Sequence, residues 1–133
     1  MGRMQREKGK RGEREASQAI QQHLGVAARR GQQYCGSPDS PDVITAIDGV
    51  AIEVKRCETV AIHRWMDKAV ADSPGDVPVI IHRKNNTDWL VTLRLGDVNG
   101  FYKRLVAAQA SPQPEGVGDE ALPIDLPSTS VPP

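Results

Sequence analysis

The chain has 133 residues, enough for one domain of ordinary size, and its 17 basic and 17 acidic residues give a formal net charge of zero. No apolar run approaches the ~18 residues of a membrane-spanning helix, and the charged N-terminus does not fit a secretory signal. The two cysteines, Cys35 and Cys57, and the three isolated histidines fit neither a disulfide framework nor a zinc site. These features predict a reduced, cytoplasmic protein.

The charges are unevenly distributed along the chain. Residues 109–133 contain four acidic residues, no basic residue and six of the ten prolines, so the preceding part carries a net charge of +4. Such a segment cannot bury enough apolar surface to offset its ordering entropy. We therefore predict a basic N-terminal arm at 1–8, a folded domain at 9–108, and a disordered, acidic, proline-rich tail at 109–133.

Hydrophobic periodicity and turn signals predict three helices and five strands in the order αβββαββα, which is typical of an α/β domain with a mixed sheet. A first helix with an apolar stripe of Ala16, Ile20 and Leu24 should end at Gly25. The last helix should begin after Asp97 as its N-cap. The predicted helices are 10–24, 59–72 and from 97 onwards, and the predicted strands are 26–34, 41–47, 50–56, 77–82 and 89–95.

The second and third strands are predicted to form a hairpin around Asp48-Gly49, a strong signal for a two-residue turn. In that register Asp42 faces Lys55, and directly opposed residues share a face of the sheet. Strand alternation adds Glu53 to the same face, with neighbouring side chains roughly 5–8 Å apart. Val54 should point the other way, into the core.

Two carboxylates and a lysine at this range suit metal-dependent cleavage of a phosphodiester. Mg²⁺ prefers carboxylate and carbonyl oxygens, and a bound cation activates water and neutralises phosphate charge. A neighbouring lysine can stabilise the negative charge of the transition state. The alternative is a salt bridge between Asp42 and Lys55 on a solvated sheet face.

The first helix supplies a third candidate acid. Glu13 lies three and seven residues before Ala16 and Ile20, on the apolar stripe, where a carboxylate is costly unless it is paired or bound to metal. Glu15 lies about 200° around the helix from it and should face water. The alternative for Glu13 is a fraying first turn in which it is solvated and favours the helix dipole.

These residues together resemble a known pattern. Pro41-Asp42, with Glu53-Val54-Lys55 eleven positions on, resembles the PD-(D/E)xK nuclease superfamily. Lys8-Gly9, followed after three residues by Glu13-Arg14-Glu15, resembles the start of archaeal-type Holliday junction resolvases. The stretch from about residue 9 to 95 is similar to small phage-encoded nucleases of that type.

The resemblance implies a restriction-endonuclease-like core and a Mg²⁺-dependent DNA endonuclease, with Mn²⁺ as a substitute cation. Asp42 and Glu53 would bind the metal with the carbonyl of Val54, and Glu13 would complete the site directly or through water. Lys55 would position the attacking water, and hydrolysis would leave a 5′-phosphate. Related resolvases are homodimers that hold a four-way junction during recombination or replication.

Two other functions stay open at this point. One is an exonuclease or nicking nuclease of the same superfamily in repair or restriction; the predicted second helix reads Trp65-Met66-Asp67-Lys68 and lacks the glutamine that many exonuclease relatives carry. The other is a non-catalytic DNA-binding module with a salt-bridged hairpin.

Polar and basic residues outside the acidic cluster predict a surface that follows the DNA backbone. Such residues contact phosphates and give salt-sensitive binding without sequence preference. Trp65 and Trp89 occupy core-like positions and should pack rather than stack on bases. The DNA-contacting candidates are Lys8, Lys10, Arg11, Arg29, Arg30, Gln32, Ser40, Arg56, Arg83 and Lys84.

Overall fold

The computed structural model describes residues 3–31 and 42–111, with side chains from residue 9 onwards. The element order in this part of the chain matches the predicted αβββαββα order. None of the helices described is long and apolar enough to cross a membrane. The elements are α1 (Arg3–Leu24), β1 (Ala28–Arg30), β2 (Val43–Thr45), β3 (Val50–Arg56), α2 (Ile62–Asp72), β4 (Val77–Arg83), β5 (Leu90–Thr92) and α3 (Val98–Ala110).

Helix α1 is longer than predicted at its start and ends where predicted. It begins at Arg3, so residues 3–8, expected to be an arm, extend the helix. Gly25 has a φ of 68° and its N–H donates to the carbonyl of Gln21 at 3.1 Å. A left-handed glycine after the last helical turn ends a helix without steric strain. The predicted tail at 109–133 begins too early, because α3 continues to Ala110. Residues 112–133 of that tail and the predicted end of the first strand at 32–34 lie outside the residues described.

The five strands form one mixed sheet in the order β1-β2-β3-β4-β5. β3 and β4 are parallel, with Val54 beside Ile81 and Lys55 beside His82, and α2 provides the crossover between them. The other neighbouring pairs are antiparallel. The carboxyl ends of β3 and β4 therefore lie at the same end of the sheet as the start of β2.

The predicted register of the hairpin was wrong by two residues. Val43, rather than Thr45, pairs with Ile52, and residues 46–49 form the connection. Ile47 is only 2% exposed and its N–H donates to Thr45 Oγ1 at 3.1 Å. Burial of Ile47 in the core thus takes the chain out of the sheet before the turn. A shift of two residues preserves the sheet face of every side chain.

Apolar residues cover both faces of the sheet. On one face Ile52, Val54 and Ile81 pack with Ala16 and Ile20 of α1, and Ala108 of α3 joins this cluster. On the other face Ile80 packs with Trp65 and Ala69 of α2. β4 is buried along most of its length because helices cover both of its sides. The packing roles predicted for Val54 and Trp65 are confirmed.

Helix α3 begins after Asp97, as predicted, and a short 3₁₀ turn at Leu95–Asp97 precedes it. The Asp97 side chain makes no capping hydrogen bond. Phe101 and Leu105 pack against the larger core, whereas Val98 and Val106 are 41% and 42% exposed. The apolar side chains of this helix are therefore only partly buried.

Candidate active site

The centre of the candidate site is a pair of neighbouring carboxyl groups. Continuing the β2–β3 pairing by one residue places Asp42 opposite Glu53, and the two groups are close enough to interact electrostatically. Asp42 Oδ2 also accepts the backbone N–H of Val54 at 2.9 Å. The negative charges of the two acids therefore repel each other where no cation is bound.

Burial and mutual repulsion make these acids hard to ionise. Burial raises the pKa of Glu53 to about 7, with the neighbouring Asp42 adding to the rise and Lys68 and Lys55 opposing it. Burial also raises the pKa of Asp42, against the opposing effects of the Val54 N–H and the Lys55 charge. Like charges in one site favour protonation of one partner. A cation at this position would reverse that balance and favour both charged forms.

Two lysines face the carboxyl pair. Lys55 lies two residues after Glu53 on the same face of β3, and its Nζ lies 5.9 Å from the centroid of the Trp65 ring. Lys68 of α2 acts electrostatically on Asp42 and Glu53, and its Nζ pairs with Asp72 Oδ2 at 2.7 Å. The positive charge of Lys55 and Lys68 therefore offsets the negative charge of the pair.

Sequence reasoning missed Lys68. Its signal was its spacing, because it follows Trp65 by three residues and so lies on nearly the same side of α2 as the ring that packs on the sheet. Because α2 packs on the sheet face that holds Glu53, a residue at the position of Lys68 lies near Asp42 and Glu53.

Glu13 lies beside the carboxyl pair but has a partner of its own. Its side chain is 18% exposed, and its Oε1 accepts a hydrogen bond from Arg30 Nε at 3.0 Å. Burial and the charge of Asp42 raise the pKa of Glu13, while Arg30 lowers it. The structure thus brings Glu13, Asp42, Glu53 and Lys55 to one end of the sheet.

The donor set suits a hard cation, although no complete site is formed in advance. Asp42 and Glu53 provide carboxylate oxygens, which Mg²⁺ and Mn²⁺ prefer. Within the described part of the chain, no three His, Cys, Asp or Glu side chains form a group ready to hold a metal ion. Water would therefore have to supply several ligands, as is usual for Mg²⁺. The role of the Val54 carbonyl stays a prediction.

Glu15 does not face water as predicted. Its Oε1 lies 3.0 Å from Arg56 Nε and 3.4 Å from Arg83 Nη2. Arg56 and Arg83 occupy paired positions at the ends of β3 and β4 on the face covered by α1. The helical wheel misplaced Glu15 because the two strand ends extend beyond the apolar stripe and present arginines to this side of α1.

The candidate DNA-contacting residues fall into three groups. Arg30, Arg56 and Arg83 form ion pairs with glutamates of α1, and Arg83 also lies over the Trp89 ring at 5.1 Å. The side chain of Lys8 and the residues Gln32 and Ser40 lie outside the part described. Four of the candidates are exposed to solvent: Lys10, Arg11, Arg29 and Lys84.

Comparison of the chain with protein-family models, with curated proteins and with solved structures found no match. The grounds for assigning a function are therefore the order of the charged residues along the chain and their placement in the fold.

Proposed function

We propose that this protein is a Mg²⁺-dependent DNA endonuclease with a restriction-endonuclease-like core, resembling Holliday junction resolvases and acting on branched DNA. The observation that carries the proposal is the placement of Asp42 opposite Glu53 on the sheet face that also holds Lys55. A buried acidic pair beside a lysine is costly for stability, and perturbed groups of this kind cluster at functional sites. Glu13 approaches the same group of side chains from α1. We call Glu13, Asp42, Glu53 and Lys55 together the catalytic corner.

The proposed chemistry assigns each side chain a role. Asp42 and Glu53 would hold the cation, which supplies an activated water and neutralises charge on the scissile phosphate. Lys55 orients the nucleophilic water and stabilises the extra negative charge of the transition state. Glu13, held by Arg30, keeps a carboxylate beside the pair and can orient water in the site. The Val54 N–H fixes the rotamer of Asp42.

The surface around this corner supports binding of the substrate backbone. Lys10 and Arg11 lie on α1 within three residues of Glu13, and Lys84 follows the carboxyl end of β4. Arg29 precedes Arg30 on β1 and is exposed. Exposed cations on both sides of a catalytic corner attract phosphates and position a strand without reading its sequence.

The test is a cleavage panel of four-way junction, flap, nicked and linear DNA, with and without Mg²⁺. The wild-type protein should cut only with the metal and should prefer branched DNA. Lys55→Ala should keep DNA affinity within about twofold and lose at least about 100-fold in cleavage rate. Lys103→Ala, an exposed lysine on α3, is the matched control and should cut normally.

The panel also separates the alternatives. Preferred degradation from DNA ends or cutting at nicks would identify an exonuclease or a nicking enzyme. Salt-dependent DNA binding without metal-stimulated hydrolysis would identify a non-catalytic module and overturn the proposal. Unchanged cleavage by Lys55→Ala would remove this lysine from the chemistry.

A further inference from the structure

A cavity of about 300 Å³ lies beside the candidate site and has no role in the chemistry proposed above. It opens between the carboxyl end of β4, the β4–β5 connection and the segment that leads into α2. Ligand pockets in proteins begin at about this size and combine apolar walls with a few polar groups. Its lining includes Val60, Trp65, His82, Lys84 and Leu90.

The cavity and the catalytic corner share a wall. The Trp65 ring that lies 5.9 Å from Lys55 Nζ also lines the cavity. His82, another lining residue, is the neighbour of Lys55 in the parallel β3–β4 pairing. A group in the cavity would therefore lie beside the same indole ring that Lys55 approaches. If that group is part of the DNA substrate, it belongs to a nucleotide adjacent to the phosphate that is cleaved.

The walls suit a flat, uncharged ring. Trp65 and His82 meet edge to face, with ring centroids 5.5 Å apart. His82 is 5% exposed, its Nε2 is hydrogen-bonded to Thr92 Oγ1 at 2.8 Å, and burial lowers its pKa, so the imidazole is neutral at physiological pH. Val60 and Leu90 add aliphatic surface at the mouth. Aromatic walls of this kind bind nucleobases through stacking and dispersion contacts.

The rim of the cavity carries charges of both signs. Lys84 and Asp88 are exposed at its edge, and Arg83, which also lines it, is held by Glu15 and by the Trp89 ring. When a ring that carries a phosphate enters this apolar chamber, Lys84 and Arg83 can contact the phosphate. A nucleotide has this composition, and a lipid chain or an apolar peptide would leave the cations unused.

We infer that this cavity receives an unpaired nucleobase of the substrate strand, next to the phosphate at Lys55. The inference rests on the proposed nuclease function and specifies its substrate. A base within a duplex is stacked and paired and cannot enter a side pocket, whereas a base at a branch point, bulge or single-stranded end is already free. The cavity therefore favours DNA with unpaired nucleotides over continuous duplex.

The test fills the mouth of the cavity and measures DNA affinity without divalent metal, so that no strand is cut. Val60→Phe introduces a ring at a position that is 46% exposed, and Val106→Phe on α3, at 42% exposed, is the matched control. Val60→Phe should weaken binding to a bulged or flapped duplex about tenfold and change binding to the paired duplex less than twofold. Val106→Phe should change neither.

A second readout follows the cavity directly. In Trp89→Phe, Trp65 is the only tryptophan, and titration with thymidine 5′-monophosphate should change its fluorescence in a saturable way. Adding Val60→Phe to that variant should abolish the change. A thermal unfolding curve matched to that of the parent shows that the double variant is folded. Absence of any nucleotide-dependent change in Trp89→Phe would overturn the inference.

The two proposals can fail separately. If wild-type protein cleaves DNA with Mg²⁺ while Val60→Phe and Val106→Phe behave alike on every substrate, the pocket inference is overturned and the nuclease proposal stands. If Val60→Phe selectively weakens binding of unpaired DNA but the wild type never cleaves, the pocket stands and the nuclease proposal fails. If the protein binds neither the DNA substrates nor the mononucleotide, both are overturned.

Discussion

Glu53 illustrates how one residue can be costly for the fold and useful for the site. It lies in the middle of a core strand, next to a second acid, and burial raises its pKa to about 7. The chain places two lysines and a backbone N–H around the pair but leaves the two acids side by side. A side chain retained at such an energetic cost is expected to serve chemistry rather than stability.

This arrangement predicts a pH dependence of stability. The folded pKa of Glu53 lies above its usual 4.5, so the folded state binds more protons than the unfolded state between the two values. The contribution of Glu53 is therefore full below about pH 4.5 and is lost as the pH rises through about 7. Relative to Glu53→Gln, the unfolding free energy of the wild type should fall by about 1 kcal/mol between about pH 5 and pH 8. The figure is modest because solvent partly screens this partly exposed carboxylate.

Urea unfolding at both pH values gives this difference directly. Comparison with Glu53→Gln cancels the opposite effect of His82, whose lowered pKa costs stability as the pH falls below about 6.5. Asp67→Asn, an exposed acid on α2, is the control and should follow the wild type. A wild type and a Glu53→Gln variant with parallel pH curves would show that Glu53 ionises normally.

At the scale of elements, two glutamates of α1 form ion pairs with three strands of the sheet. Glu13 pairs with Arg30 of β1, and Glu15 pairs with Arg56 of β3 and Arg83 of β4. A Cβ at Gly12 would lie 3.2 Å from the Cβ of Arg56, so the helix and β3 approach closely at this point. The ion pairs thus fix the positions of the strands that carry the site.

We predict that Glu15→Ala destabilises the fold by about 1–2 kcal/mol, since it leaves two partly buried guanidinium groups without their anion. Gln18→Ala on the exposed side of α1 controls for the change in helix propensity. Urea unfolding measures both. A loss for Glu15→Ala within about 0.5 kcal/mol of the control would mean that the ion pairs add nothing to the packing of Ala16 and Ile20.

The elements show which parts of the structure could be predicted from sequence. Their order was predictable because apolar periodicity is local, as in the stripe of α1 and the branched residues of β3. The hairpin register was not, because it depends on burial of Ile47 in a core formed by distant elements. The grouping of Asp42, Glu53 and Lys55 on one face still held, since a two-residue shift preserves alternation. The partners of Glu15 could not be predicted, because they depend on how α1 packs against the ends of β3 and β4.

At the scale of the whole molecule, the candidate site lies at one end of the sheet. Helices cover both faces, so the polar side chains gather where β3 and β4 end and β2 begins. Ligands of α/β sheets commonly bind beyond the carboxyl ends of parallel strands. Lys10 and Arg11 shortly precede Glu13 in the sequence, and Lys84 directly follows β4. These exposed side chains give the surface near this end of the sheet a positive charge that attracts anions.

The claim on which this account depends is that the Asp42–Glu53 corner binds a divalent cation, and calorimetric titration with Mn²⁺ tests it most directly. We predict binding to the wild type that strengthens as the pH rises through about 7, with release of the proton that Glu53 carries below that pH. Asp42→Asn should abolish the binding heat, and Asp48→Asn, an exposed acid of the β2–β3 connection, should leave it unchanged. No binding to the wild type, or equal binding to Asp42→Asn, would contradict the account.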